Sequence, residues 1–392
     1  MGAAENAPLT GAAASERPEK QAFKVCHMTS GHPPEDQRIF HKECVSLAKA
    51  GYGVYLVQQG GSYEKNGVHI VGFGEMPKSR LKRMAQTARR VYRAALAVDA
   101  DIYHFHEPEL LPYGLKLKKR GKKVIFDSHE LYVQQIRAKD YLPGWSRALI
   151  AGAYGVYERH VLRTIDGVIF PCKIEGRNPF EGRCRRAALI NNVPRLDEFY
   201  DRYSEAVPKR ERSIVYVGGL THNRGVTHLV KSAAKAGCTA WLGGTFSPAS
   251  YQAEMESLPE YSHVRYLGQL SRSQVAETLQ SCQIGMAALL NVGQYGKLGT
   301  LATKVYEYMS LGLPVVLSST PYNTEAVERC RFGICADPED TESIAAAITY
   351  LLDHPEEARR MGENGRKAVK EEFNWGVEEK KLLALYEDIL KE

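Results

Sequence analysis

A chain of 392 residues, 44% hydrophobic and 25% charged, has the make-up of a globular protein of two or three domains with a sizeable core. No run approaches the roughly 18 apolar residues of a membrane-spanning helix. The net charge of +6 is modest, and the eight scattered cysteines form no Cys-x-x-Cys pair, so neither a zinc knuckle nor a redox couple is indicated.

Buried free thiols in a reducing cytosol are expected, which places the protein in the cytoplasm. Residues 1–22 lack an apolar stretch and read as a disordered lead-in rather than a signal peptide. From Phe23 onward strands alternate with helices, an α/β pattern. Phe23 to Met28 reads as a first strand, followed by a loop with Gly31 and a helix from about Asp36 to Lys49, closed by Gly51. Strand, glycine loop and helix are the opening of a nucleotide-binding unit. Gly53 to Gln58 is the second strand, and residues 67–73 another. A helix is expected over 78–98, carrying Lys78, Arg80, Lys82, Arg83, Arg89, Arg90 and Arg93 with no acidic residue before Asp99. Basic residues interleaved with Leu, Met, Val and Tyr suit an anionic membrane surface, and a solvated face is the plain alternative. No nucleic-acid motif accompanies the charge, so nucleic acid is not an expected partner.

Strands at 101–106 and 122–126 end in ionisable residues. His106, Asp127, His129 and Glu130 fall beyond their carboxyl ends, where an open parallel sheet binds ligands. Metal binding by this group is the lesser alternative, because no ligand motif of the usual spacing is present. His27, His32 and His104 are expected to be structural or loop residues, and so is the ring of His106 itself. Helical sequence fills 131–165, and strands follow at 166–170 and 187–190. The polar stretch 195–212, bounded by Pro194 and Pro208, reads as a linker.

The second half opens with a strand at 213–217, Gly218-Gly219, then Arg224 and a helix over 226–236. That order brings backbone N–H groups and a guanidinium to a diphosphate. Strands at 239–242, 264–266 and 284–289 alternate with helices at 249–258 and 271–281. A glycine-rich loop, 290–302, leads to a helix with Thr303 as its N-cap, Gly312 as its left-handed terminator and Pro314 beyond, then the strand from Val315. The start of this helix offers Lys304 to a phosphate and Glu307 to ribose or sugar hydroxyls. An ordinary αβ unit with a solvated Lys and Glu is the bland alternative. Helices are expected from there to the end.

The run Lys304-x-x-Glu307-Tyr308-Met309-Ser310-x-Gly312-x-Pro314-Val315-Val316 resembles the C-terminal signature of the family 4 retaining glycosyltransferases. Asp36-Gln37-Arg38, Asp127-x-His129-Glu130, the Gly218-Gly219 loop with Arg224, the turn Leu267 to Leu270 and Phe373-Asn374-Trp375 resemble further parts of that family, in order. The resemblance implies the GT-B fold: two Rossmann-like domains facing each other across a cleft. It implies an acceptor-side domain over 23–194, a linker over 195–212, a nucleotide-sugar domain over 213–372 and a closing segment, 373–392, whose helix crosses back to the first domain. It implies donor contacts from Gly31, Gly218, Gly219, Arg224, Gln269, Leu270, Thr303, Lys304 and Glu307. On the acceptor side it implies Arg38, His106, Asp127 and Glu130, and it gives the catalytic roles to His129, Arg224 and Glu307. The implied activity is sugar transfer with retention from a nucleoside-diphosphate sugar to a hydroxyl of a saccharide, with a lipid-linked acceptor of bacterial surface-polysaccharide synthesis favoured. No cofactor is implied, and no metal, since no Asp-x-Asp triplet, the usual carboxylate clamp for a nucleotide-bound ion, is expected anywhere in the chain. Many members carry Glu-x7-Glu ending at the position of Glu307; here Gly299 replaces the first Glu. That leaves the donor sugar open, with room for an inactive scaffold, an epimerase or a phosphorylase.

Overall fold

The computed structural model describes residues 23–75, 86–137, 143–293 and 295–391. Its first half is built on β1 (Lys24–Met28), β2 (Gly53–Gln58), β3 (Tyr63–Lys65), β4 (Val68–Gly72), β5 (Ile102–Phe105), β6 (Lys123–Asp127), β7 (Gly167–Phe170), β8 (Lys173–Ile174) and β9 (Ala187–Leu189). One sheet has the order β3-β4-β2-β1-β5-β6-β7-β9 and is parallel except for the β3 edge. The second half carries β10 (Ser213–Val217), β11 (Thr239–Gly243), β12 (Val264–Gly268), β13 (Ile284–Ala287), β14 (Leu298–Gly299), β15 (Val315–Ser318) and β16 (Gly333–Ala336). Its sheet runs β12-β11-β10-β13-β15-β16, all parallel. This is the doubly wound dinucleotide-binding order, whose switch point lies between β10 and β13. In the first half the corresponding reversal lies between β1 and β5.

The inner strands are apolar on both faces because helices cover both. Val315-Val316-Leu317 and Ile214-Val215-Tyr216 are buried outright, and two apolar clusters flank each sheet. The last helix, Trp375–Leu390, leaves the second half and packs on the first: Trp375, Leu382, Leu385, Tyr386 and Ile389 join the cluster of Val25, Ile125 and Ile169. Glu378 accepts hydrogen bonds from the N–H and the side-chain amide of Asn191, and Trp375 Nε1 donates to Ser46 Oγ, which fastens the crossing.

Several elements depart from the sequence expectations. The first helical stretch begins at Ile39, not Asp36, because Asp36 Oδ1 accepts from the N–H groups of Arg38 and Ile39 and so caps it from outside. The supposed linker is packed: 196–199 is helical, Phe199 is buried in the second half's core, and Arg366 stacks on Tyr200 and Tyr203 at 4.0 Å. Strands β3 and β16 were not expected. Of the basic stretch 78–98, Lys78, Arg80, Lys82 and Arg83 lie outside the described residues, as does the lead-in 1–22; the described helix is Ala88–Val98, with Arg89, Arg90 and Arg93 exposed. No helix among the described residues is long and apolar enough to cross a membrane.

Candidate active site

The two halves present the same local device, a glycine loop at the carboxyl end of their first strand, and the structure treats the two differently. After β1, the loop Thr29-Ser30-Gly31-His32 is filled by a side chain of its own half. The Glu107 carboxylate accepts from Ser30 N and Gly31 N, each at 2.9 Å, from the Thr29 hydroxyl and from His32 Nδ1 at 2.7 Å. Burial alone would raise the Glu107 carboxyl, but the hydrogen bond and charge of His32, with help from Thr29, bring it down to about 2. The Gly31 N–H, expected at a donor, is spent here on this internal anion. Replacing Glu107 by Gln should cost about 3 kcal/mol, because the amide keeps one acceptor oxygen but turns an NH2 toward a donor the other oxygen now serves and removes the charge that faces His32. Chemical denaturation checks this, and a variant as stable as the parent would show the contacts to be idle.

After β10 the loop stays open. Gly218 has φ +146, and a Cβ there would stand 3.0 Å from Lys304 Nζ; a Cβ on Gly225, at φ +68, would collide with the Ala288 carbonyl at 2.5 Å. These glycines let the backbone approach the space at the switch point. A cavity of about 350 Å³ lies there, lined by Gly218, Gly219, Arg224, Thr303 and Lys304. Asn291, Tyr295, Ser318, Thr320 and Asn323 line it too and were missed from sequence; the position of Ser318 and Thr320 just past the end of β15 was the available signal. Thr303 is not the N-cap: Ala302 stands there without a capping side chain, and Val305 N donates to the Ala302 carbonyl at 2.8 Å, so the N–H groups of Thr303 and Lys304, without a hydrogen-bond partner among the described residues, are the ones open to a ligand. Lys304 Nζ sits 3.3 Å from the Tyr216 ring centroid, and burial, then the charge of Arg224, hold its pKa well below 10.5. Arg224 lies over the Tyr295 ring at 4.8 Å. Arg224 and the Lys304 amine, with no carboxylate among the described residues lining the cavity, make a site for a polyanion, whose charge would favour the protonated lysine.

Glu307 is not among the cavity-lining residues. It is buried, Arg272 donates to its Oε1 at 2.9 Å, and Arg272 also holds Glu198 at 3.0 Å. Burial raises its carboxyl, an effect Arg272 partly offsets. Gln269 and Leu270 lie beyond the end of the edge strand β12 and do not line the cavity either; Leu270 packs beneath Gly243.

A second space of about 940 Å³ runs between the halves, with His129 and Glu130 on one wall and Arg224, Tyr295 and Thr303 on the other. His129 Nε2 is 3.3 Å from Asp127 Oδ2 and 3.1 Å from His106 Nδ1. Asp127 and His106 are themselves fully buried, so they support His129 rather than meet a substrate. Arg38, also expected on the acceptor side, is buried: its Nε and Nη2 donate to Asp127 at 2.8 and 3.2 Å, and its Nη1 donates to the Ile190 carbonyl. Burial works to raise the Asp127 carboxyl, but Arg38 and then His129 hold it well below its usual range, while burial pushes His106 down to about 4.

Gly299 lies in a strap that bridges the cleft. β14 pairs antiparallel with β8, Glu175 N donates to the Lys297 carbonyl at 2.9 Å, and a Cβ on Gly299 would meet the Lys173 carbonyl at 3.1 Å. A side chain at this position would require the Lys173 segment of the strap to give way by a few tenths of an ångström. The triplet Asp99-Ala100-Asp101 corrects the expectation that no Asp-x-Asp occurs, but it sits at the amino end of β5. There Asp99 pairs with Lys122, and Asp101 accepts from Lys24 N at 2.8 Å, at the opposite end of the sheet from the cavity.

Two doubly wound sheets joined by a returning terminal helix, with an open switch-point cavity in the second, define a GT-B type fold. Residues 37–178 match the model described as Glycosyltransferase Family 4, and residues 198–368 match Glycosyl transferases group 1. The chain belongs to the family 4 glycosyltransferases. It is 31% identical over 121 residues to the MMP alpha-(1->4)-mannosyltransferase of Mycolicibacterium hassiacum, a stretch covering 30% of this chain and 27% of that protein. In fold it resembles the sucrose-phosphate synthase of Thermosynechococcus elongatus, with a TM-score of 0.75 at 19% identity over 95% of this chain and 100% of that one. It also resembles Anabaena HepE in complex with UDP and glucose, with a TM-score of 0.66 at 13% identity over 93% and 100%.

Proposed function

We propose that the protein is a retaining glycosyltransferase that binds a nucleoside-diphosphate sugar in the second half and passes the sugar to an acceptor hydroxyl held against the first. The observation that carries this is the contrast between the two switch points: one plugged by Glu107, the other open and lined by Arg224, Lys304 and uncapped helix N–H groups. The leaving diphosphate develops charge where those cations sit, and preorganised donors aimed at that charge are the main source of rate. His129, on the facing wall of the cleft, would hold the sugar and acceptor. In the front-face course implied by the family, the hydroxyl attacks the face the diphosphate leaves, so no protein nucleophile is required.

Thermal shift with a panel of nucleotide sugars tests the site: a donor at a hundred times its Kd should stabilise the fold by about 2.7 kcal/mol. NMR of the product should then show the donor's anomeric configuration retained. A panel without any stabilising member would sink the reading, and a new sugar nucleotide formed without acceptor would mark an epimerase.

The acceptor we favour is a lipid-linked saccharide, with the protein resting on an anionic membrane. In support, the helix Gly144–Thr164 exposes Trp145 by 79%, Leu149 by 69% and Val156 by 74%, and Arg159 and Arg163 share its exposed side. Sedimentation with anionic vesicles should fall several-fold in Trp145→Glu/Leu149→Glu and at raised salt. Equal sedimentation of parent and variant would remove this surface from the proposal.

A further inference from the structure

We propose that His27, Glu43, His104 and His106 form a buried transition-metal site of the zinc type, separate from the donor cavity. All four are fully buried, and one ligating atom from each lies within 4.8 Å of the others. His27 Nδ1 and His106 Nε2 are 3.1 Å apart, and Glu43 Oε2 lies 3.9 Å from the first and 4.0 Å from the second. Tetrahedral coordination with bonds of about 2.0–2.2 Å sets donors roughly 3.4 Å apart, so these separations straddle what an ion would impose.

The outward nitrogens are already committed. His27 Nε2 and His104 Nδ1 meet the Tyr386 hydroxyl at 3.2 and 2.8 Å, and His106 Nδ1 faces His129 Nε2 at 3.1 Å and Asp127 Oδ2 at 3.5 Å. A metal-bound histidine is held in this way, with its second nitrogen tied to an oxygen or a neighbour that fixes ring and tautomer. The inward atoms are short of partners. Both oxygens of Glu43 and Nε2 of His104 have no hydrogen-bond partner among the described residues. Arg38 Nε comes within 3.1 Å of Glu43 Oε1, but its N–H is directed to Asp127. Glu43 has Arg38 and Asp127 beside it, yet its Oε2 still faces the two imidazoles, and His104 Nε2 is left without a partner; a divalent cation would bring these inward atoms together.

Three imidazoles and a carboxylate suit Zn²⁺, and Co²⁺ as its surrogate. With four protein ligands and no exposure, the ion would act on structure, not on substrate. It would join β1, β5 and the first helical stretch and, through Tyr386, the returning C-terminal helix. It would also fix His106, against which His129 rests. Sequence spacing could not show the set, because its members come from three separate elements.

The full chain, expressed in zinc-supplemented medium and dialysed against EDTA while folded, should release about one zinc per chain on guanidinium unfolding, read with a metallochromic indicator. Protein grown with cobalt should show visible d–d bands of tetrahedral strength. Glu43→Gln and His104→Gln should each lower bound metal at least 10-fold, with circular dichroism reporting their folding. A folded parent protein holding less than about 0.1 metal per chain under both supplements would overturn the site and leave an internal hydrogen-bond network. So would folded variants that retain full metal. Should one variant fail to fold, the parent's metal content and the other variant decide.

Discussion

Arg224→Ala is expected to lower turnover roughly 10²–10³-fold, about 3–4 kcal/mol, the scale seen when one preorganised donor to a developing anion is removed. The guanidinium lines both the switch-point cavity and the cleft, so it borders the place where the sugar–phosphate bond would break. No carboxylate lines that cavity among the described residues. In the proposed site Arg224, Lys304 and the N–H groups of Thr303 and Lys304 would neutralise the diphosphate. Arg224→Lys should recover part of the loss, since Lys keeps the charge and forfeits the fork. Added Mg²⁺ or EDTA should leave initial rates of the folded enzyme unchanged. Strict dependence on an added divalent ion, or a fully active Arg224→Ala protein, would overturn the assignment of the diphosphate to this cavity.

The sequence carried the inner strands well because burial on both faces writes an unbroken apolar run. β10 and β15 fall where Ser213-Ile-Val-Tyr-Val217 and Val315-Val-Leu317 place them. It carried β3 poorly, since Tyr63, Glu64 and Lys65 are all exposed at a sheet edge and leave no periodic signal. Phe199 was hidden in a polar stretch whose short helix has a local capping box between Arg195 and Glu198 and, on Phe199 itself, the Arg272 guanidinium at 4.5 Å, a contact no local pattern shows. The site shows the same division. The glycine loops after β1 and β10 look alike in sequence, and what separates them is Glu107, 76 residues beyond Gly31. Glu307 shows what spacing leaves out: its distance from Lys304 in sequence suits a ligand contact, and the structure adds an ion pair of its Oε1 with Arg272.

His129→Ala is expected to cost roughly 10²-fold in turnover, the scale set by losing the orientation of a bound reactant, with affinity for the nucleoside diphosphate unchanged. The side chain lines the cleft on the wall opposite Arg224, away from the cavity proposed for the diphosphate. Its Nε2 is spoken for by Asp127 Oδ2 and His106 Nδ1, and Nδ1 has no hydrogen-bond partner among the described residues, so that nitrogen is the one open to a sugar or acceptor hydroxyl. The supports beneath it are rigid. Arg38 grips Asp127 with two N–H groups, and His106 is locked between His27 and His129. A residue placed this way should act on kcat and on the KM for acceptor, leaving the Kd for the nucleotide alone. His129→Asn or His129→Gln, which can still present a polar atom to the cleft, should recover part of the rate. Calorimetric titration with nucleoside diphosphate, beside steady-state kinetics, separates the cases. Weakened nucleotide binding would place His129 in the donor site, and unchanged turnover would make it a wall of the cleft and nothing more.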